Sequence, residues 1–206
     1  TLGSAYIKWW RSQEYYDKGG WKGTKKYDGG GALMNQGIHA VDLLQWYMGP
    51  VEAVQAYCAT LGHERIEVED TAVAILRFRS GALGVIEGST AAYPGFLKRI
   101  EICGVGGSVI LEEDYFKCWH FDTEKPEDLE IRTRFSASGT SGGGAADPAA
   151  IGYLGHKLQF QDVVESIRKG KKPAVDGIEA RKAVEIILAI YRSGELGREV
   201  PLPLRY

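Results

Sequence analysis

Gly29-Gly30-Gly31-Ala32-Leu33-Met34-Asn35-Gln36-Gly37-Ile38-His39-Ala40-Val41-Asp42 is the stretch on which the reading of this chain turns. A glycine run feeds a segment with helical spacing from about Ala32 to Tyr47, closed by the stop signal Gly49-Pro50. Residues three and four apart share a helical face, so Asn35, His39 and Asp42 project together and gather an amide, an imidazole and a carboxylate. Ile38, Val41, Leu44 and Met48 supply the buried stripe, which leaves the polar trio at an edge. The glycines bare the backbone at the helix entry, which suits close approach of a ligand to its positive N-terminal end. The cluster has the content of half an active site.

Outward from that helix, Leu2 to Trp10 reads as a strand and Arg11 to Asp28 as a polar, aromatic, lysine-rich connection. From Val51 to about Phe121 come short runs rich in Val, Ile, Ala and aromatics, punctuated by Ser80-Gly81, Pro94-Gly95 and Gly106-Gly107: strands joined largely by hairpins. Asp122 to Asp147 turns polar, and Ser136 to Gly144 is too poor in apolar residues to pack, which predicts a mobile loop of lid length. Two helices follow, about Ile151 to Arg168 and about Gly177 to Arg192. Asp176 and Glu179 form a capping box for the second, and Gly194 stands where its C-terminal cap belongs. This order predicts an α+β fold: one large, predominantly antiparallel, open-faced sheet with its helices on one face. Residues 1–206 then form a single domain whose other sheet face is left for a ligand or a partner.

Composition bounds the function. A net charge of −2 leaves no basic field, so no nucleic-acid partner is expected. No apolar run nears the about 20 residues that cross a bilayer, and the opening residues carry no signal or transit pattern, so the chain reads as cytoplasmic with no membrane partner. Cys58, Cys103 and Cys118 are odd in number and far apart, which suggests neither disulfides nor structural zinc. His39, His63, His120, His156 and Asp42 lack close-ligand spacing such as H-x-x-x-H, so no metal is expected, and no G-x-S-x-G supports nucleophilic hydrolysis. The chain opens at Thr1, already inside a strand, which points to a fragment or excised domain.

Further segments carry a signature: Trp10 to Tyr16, Trp21-Lys22-Gly23-Thr24, the glycine run through Trp46, Glu67 to Phe78, Gly81 to Thr90 and Gly155 to Val164. With them the chain resembles, over nearly its whole length, the C-terminal domain of the glucose-fructose oxidoreductase/inositol dehydrogenase (Gfo/Idh/MocA) family. The resemblance implies an NAD(P)-dependent dehydrogenase of a sugar, nucleotide-sugar or cyclitol secondary alcohol. In that arrangement this domain holds the substrate, and a separate N-terminal Rossmann domain, absent from this chain, holds NAD or NADP. It also implies a homodimer or homotetramer formed through the sheet face. Gly104-Val105-Gly106-Gly107 lies between two strand-like runs and reads as a hairpin turn rather than a dinucleotide cradle. Glu124-Lys125-Pro126 matches the letters of the family's catalytic-lysine motif, but that motif belongs to the Rossmann domain. Lys125 sits in a charged surface connection, and the role is not carried over.

Oxidising a secondary alcohol needs a group that takes the hydroxyl proton as hydride leaves, and histidine suits it with an ordinary pKa of about 6.5. The resemblance places the family's active-site histidine at His39, and its polar setting beside the glycines agrees. Many members carry aspartate where this chain has Asn35. An amide cannot relay a proton, so Asn35 is expected to position a substrate hydroxyl or the imidazole, with proton transfer left to His39 and the lysine of the absent domain. The Asn35-to-His39 arrangement resembles members acting on nucleotide-linked N-acetylated sugar acids. Asp42 is expected to orient the imidazole or tie the helix to a neighbouring loop. Trp21 is expected to stack on a sugar ring and Arg11 to pair with an anionic substituent. Tyr93 and His156 are expected in the pocket wall, although His156 shares a helical face with Phe160, Val163 and Ile167, as a core or interface histidine would. The alternative is a non-catalytic domain that uses its sheet for binding or self-association. Alone, the chain is expected to be inactive and to bind no NAD(P)H.

Overall fold

The computed structural model describes residues 1–136, 145 and 153–205. The eight-stranded sheet that organises it runs β7-β6-β5-β1-β4-β3-β2-β8. In chain order these are β1 (Leu2–Lys8), β2 (Val51–Ala59), β3 (Thr71–Phe78), β4 (Leu83–Ser89), β5 (Arg99–Gly104), β6 (Gly107–Glu112), β7 (Tyr115–Phe121) and β8 (Val200–Pro201). Among the described residues only β1 with β4 is a parallel pair. Hairpins join β2 to β3, β3 to β4, β5 to β6 and β6 to β7, and the expected turn at Gly104–Gly107 is the β5–β6 hairpin. Between β4 and β5 there is no hairpin, because β1 is wedged between them.

β3 alternates buried Ala72, Ala74, Leu76 and Phe78 with exposed Val73, Ile75 and Arg77, so one face of the sheet is core and the other is open. Two helices lie on the core face: α2 (Ile38–Met48), through Ala40, Val41 and Leu44, and α5 (Gly177–Leu196), through Ala183, Ile186, Ile187, Ala189 and Ile190. Three shorter or peripheral helices complete the described residues: α1 (Gln13–Asp17), α3 (Pro126–Arg134) and α4 (Leu154–Lys169). The open-faced, mostly antiparallel α+β sheet expected from the element order is what the chain builds.

Several boundaries differ from expectation, each for a local reason. The helix after the glycines begins as a π-helical segment, Ala32–Gly37, before becoming α2. The polar stretch after Phe121 is not all connection. Pro126 sits at the start of α3, the Asp128 side chain accepts the Lys125 N–H and the Trp119 indole N–H, and Arg132 and Arg134 close the last turn. Asp176 caps α5 as expected, accepting from the Ile178 and Glu179 N–H groups, but the helix runs past Gly194 to Leu196 and ends on left-handed Gly197. Gly194 lies against Cys58, so it serves helix–sheet packing instead of a cap. The loop expected over Ser136 to Gly144 lies, apart from Ser136, outside the described residues, as does the expected helix start at Ile151.

Candidate active site

The start of the π-helical segment is occupied by the protein's own carboxylate. Glu69 accepts the Gly31 N–H at 2.8 Å through Oε2 and the Leu33 N–H at 2.9 Å through Oε1, while its backbone carbonyl takes the Ala32 N–H at 3.0 Å. The Tyr191 hydroxyl of α5 donates to Glu69 Oε1 at 2.9 Å. A Cβ at Gly31 would collide with the Glu69 carbonyl. The glycine run therefore admits Glu69, and the ligand expected at this helix end is displaced by an internal cap. Burial raises the Glu69 pKa despite the opposing hydrogen bonds from Leu33, Tyr191 and Gly31.

One turn later, Asn35 is fixed by its neighbours. Its Nδ2 donates to Asp28 Oδ1 at 2.6 Å, and since a carboxylate only accepts, this sets the amide so that Oδ1 receives Gln36 Nε2 at 3.0 Å. The other Asp28 oxygen accepts the Gly23 N–H at 2.8 Å, so one carboxylate bolts the Trp21–Asp28 loop to the helix. Gln36 Nε2 also lies 3.4 Å from the Tyr15 hydroxyl, and Lys22 Nζ sits 3.8 Å over the Tyr15 ring.

His39 is exposed at the first turn of α2. Its pKa lies below the ordinary histidine value, through partial desolvation first and then the positive charges of Lys98 and His156, against the opposing charge of Asp42. Asp42 is half-buried; burial raises its pKa and Glu179 adds to this, while His39 and Lys182 oppose. It reaches His39 through charge and not through a hydrogen bond. Lys98, just before β5, is tethered by Glu113, which accepts its backbone N–H at 2.7 Å and pairs with Nζ at 3.4 Å. His39, Asp42, His156 and Lys98 thus share one electrostatic neighbourhood, drawn from α2, α4 and the start of β5.

The remaining expected residues divide. Trp21 stands partly exposed on the loop that Asp28 clamps, with Lys22 Nζ 6.0 Å from its ring. Tyr93 is exposed and meets Trp10 edge to face at 5.6 Å. Arg11 differs from expectation: it is only 3% exposed, its Nη1 donates to the Trp10 and Ala145 carbonyls, and its guanidinium lies beside the Trp9 and Tyr15 rings. Among the described residues, aromatic rings and backbone carbonyls surround it.

A second imidazole–carboxylate pair is sealed inside. His63 Nδ1 lies 3.0 Å from Asp70 Oδ2, and Nε2 lies 2.8 Å from the Arg11 carbonyl. Burial would raise the Asp70 pKa, but the N–H groups of Leu61 and Gly62 together with His63 and Thr71 outweigh it and hold the carboxyl low. This pair ties the β2–β3 connection to the segment after β1. A hollow of about 390 Å³ opens behind the glycine run, lined by Gly29, Gly30, Cys58, Glu69, Tyr191 and Glu195 among others, and His39 does not border it. Sequence reasoning assigned no role to Asp28, Glu69 or Lys98. Asp28, directly before the glycines, and Glu69, inside the Glu67-to-Phe78 signature, had a positional signal; Lys98 had none.

Residues 2–110 match the profile described as the GFO/IDH/MocA C-terminal domain. The chain is 31% identical over 177 residues to myo-inositol 2-dehydrogenase of Thermotoga maritima, covering 84% of this chain and 49% of that protein. It is 26% identical over 180 residues to the NAD(+) scyllo-inositol 2-dehydrogenase of Bacillus subtilis, covering 85% and 49%. In structure it is similar to the WlbA dehydrogenase from Bordetella pertussis, solved in complex with NADH and UDP-GlcNAcA. That match has a TM-score of 0.84 and 38% identity, and covers 99% of this chain and 55% of that one. The chain spans about half the length of the curated relatives it matches. With a family profile over more than half its residues and this shared architecture, the chain belongs to the GFO/IDH/MocA C-terminal domain family.

Proposed function

We propose that this chain is the substrate-holding half of a dehydrogenase that oxidises a secondary alcohol of a nucleotide-linked sugar, or of a related sugar or cyclitol, with NAD or NADP. The dinucleotide is held mainly by a separate Rossmann domain, since the glycine-rich candidate at Gly104–Gly107 is a β-hairpin. The observation that carries the reading is His39: an open imidazole whose pKa is pushed down, so that the neutral base is present near pH 7. His39 takes the hydroxyl proton. Bound nicotinamide would supply the hydride acceptor. Asn35, its amide already oriented by Asp28, positions a substrate hydroxyl and carries no proton. Asp42 favours the imidazolium that forms, and exposed Trp21 and Tyr93, with His156, are assigned to meet the rest of the substrate.

The 38% identity to a structure solved with UDP-GlcNAcA, against 26% and 31% to the inositol enzymes, favours the nucleotide-linked sugar within this class. The open sheet face, with Tyr57, Val73, Ile75 and Leu83 exposed, is the surface for a homodimer or homotetramer. No helix among the described residues is long and apolar enough to cross a membrane, and the cytoplasm is the proposed compartment. In the full-length enzyme His39→Ala is expected to lower kcat by about 10²- to 10⁴-fold with the fold retained. A loss under about threefold removes His39 from the chemistry. Screening UDP-linked sugars, free sugars and inositols with both cofactors decides the substrate class, and micromolar NADH binding by the 206-residue chain alone overturns the division of labour.

A further inference from the structure

Lys22, in the Trp21–Asp28 loop, is half-buried and has no anion to pair with among the described residues. Its Nζ lies 3.8 Å from the centre of the Tyr15 ring and 6.0 Å from that of Trp21. The face of Tyr15 balances part of the charge, but a ring offers no lone pair to the three N–H donors of an ammonium. The loop's only acid, Asp28, is spent elsewhere: its oxygens take the Gly23 N–H at 2.8 Å and the Asn35 amide at 2.6 Å. An acceptor for Lys22 therefore has to come from outside the described residues.

The ammonium is also tied in place beside the amide proposed to position the substrate. Asp28 bonds both Asn35 and the residue that follows Lys22. Tyr15, the ring that Lys22 overlies, has its hydroxyl 3.4 Å from Gln36 Nε2, which in turn bonds Asn35 Oδ1. The Arg11 guanidinium lies 5.5 Å from the same ring, with its Nη1 on the Trp10 and Ala145 carbonyls, so two positive side chains converge there. Positive charge gathered next to a group that holds a hydroxyl suits a substrate that carries negative charge as well. One ammonium matches the unit charge of a carboxylate, whereas a diphosphate carries more charge on freely rotating bonds. A carboxylate fixed to a sugar ring keeps a set distance from the ring hydroxyls, as Lys22 does from Asn35.

We infer that Lys22 is a specificity-determining residue that pairs with the carboxylate of a sugar acid while Asn35 holds a hydroxyl of the same ring; this rests on the dehydrogenase reading. The test uses the full-length enzyme and its Lys22→Met and Lys22→Arg variants, with Lys26→Met, which removes an exposed charge of the same loop, as control. Turnover is measured on UDP-linked uronates and on the hexoses that differ only by a hydroxymethyl group in place of the carboxylate, with and without an acetamido group. The affinities of NADH and of UDP are measured beside it. The wild type should favour the uronate, and Lys22→Met should lower the uronate-to-hexose ratio of kcat/KM about thirtyfold, mainly through KM. Lys22→Arg keeps a cation and should retain most of the ratio, and Lys26→Met all of it. A ratio that survives Lys22→Met, or that falls as far in Lys26→Met, overturns the assignment. A matching loss of UDP affinity in Lys22→Met overturns it in favour of the diphosphate, and a loss of NADH affinity in favour of the dinucleotide. A wild type that turns over only neutral sugars or inositols sinks this inference and leaves the dehydrogenase reading standing; one that turns over no alcohol of either kind fails that reading itself.

Discussion

His39 and His156 stand on helices that are held in opposite ways. α2 enters through a segment gripped at its start by Glu69 and Tyr191 and at its side by Asp28, then buries Ala40, Val41 and Leu44 against the sheet and α5. α4 keeps its shape through its own turns and leaves its apolar face in water. The difference separates what this chain finishes from what it leaves open. It holds the amide of Asn35, the proposed positioning group, by hydrogen bonds and seats His39, the proposed base, on a helix packed into the core.

If the grip on α2 is what separates the two helices, cutting it should be expensive. Glu69→Ala strips the Gly31 and Leu33 N–H groups and the Tyr191 hydroxyl of their acceptor. It should destabilise the protein by about 3 kcal/mol, read as a lower urea midpoint at unchanged slope. Glu69→Gln keeps an acceptor and should recover part of the loss; a wild-type midpoint for the alanine variant would show that α2 needs no such cap. A smaller effect is expected one turn on. Asp28→Ala frees both the Asn35 amide and the Gly23 end of the Trp21 loop, and should cost about 1–2 kcal/mol of stability and about tenfold in kcat/KM of the full-length enzyme. An Asn35→Ala variant that gains nothing further from loss of Asp28 would confirm that the two act as one unit.

How much of this was legible follows from which forces are local. The alternation of Thr71 to Phe78, the Asp176 cap and the Gly104–Gly107 turn are decided within a few residues, and the sequence shows them. Helical spacing puts His39 and Asp42 of α2 on one face, whereas Asn35 lies in the π-helical segment, where that spacing no longer holds. The parallel insertion of β1 between β4 and β5 is a long-range pairing that no local pattern encodes. Glu69 and Lys98 come from the connections leading into β3 and β5, so their roles exist only once the sheet has formed. Arg11 is buried although its charge argues for the surface, and the rings and backbone carbonyls beside it come together only in the fold. α3 is the avoidable case: Pro126, two acids in the first turn and two arginines in the last are a helix signature, obscured by the low apolar content of the stretch.

The smallest expected effect tests whether Lys98 belongs to the site. Its positive charge disfavours the imidazolium of His39, so replacing it in Lys98→Met should favour protonation and raise the His39 pKa. Alcohol oxidation needs the neutral ring, and kcat/KM falls as pH drops through that pKa. The acid limb of the full-length enzyme should therefore move to higher pH in Lys98→Met. Asp42→Asn removes the charge that favours the imidazolium, and its limb should move to lower pH. Both displacements are charge–charge effects at a site open to solvent, so they should shrink at high ionic strength, which a change in packing would not do. Limbs that coincide in all three proteins at low salt would mean that neither charge acts on the base, and that α2 works without help from the start of β5.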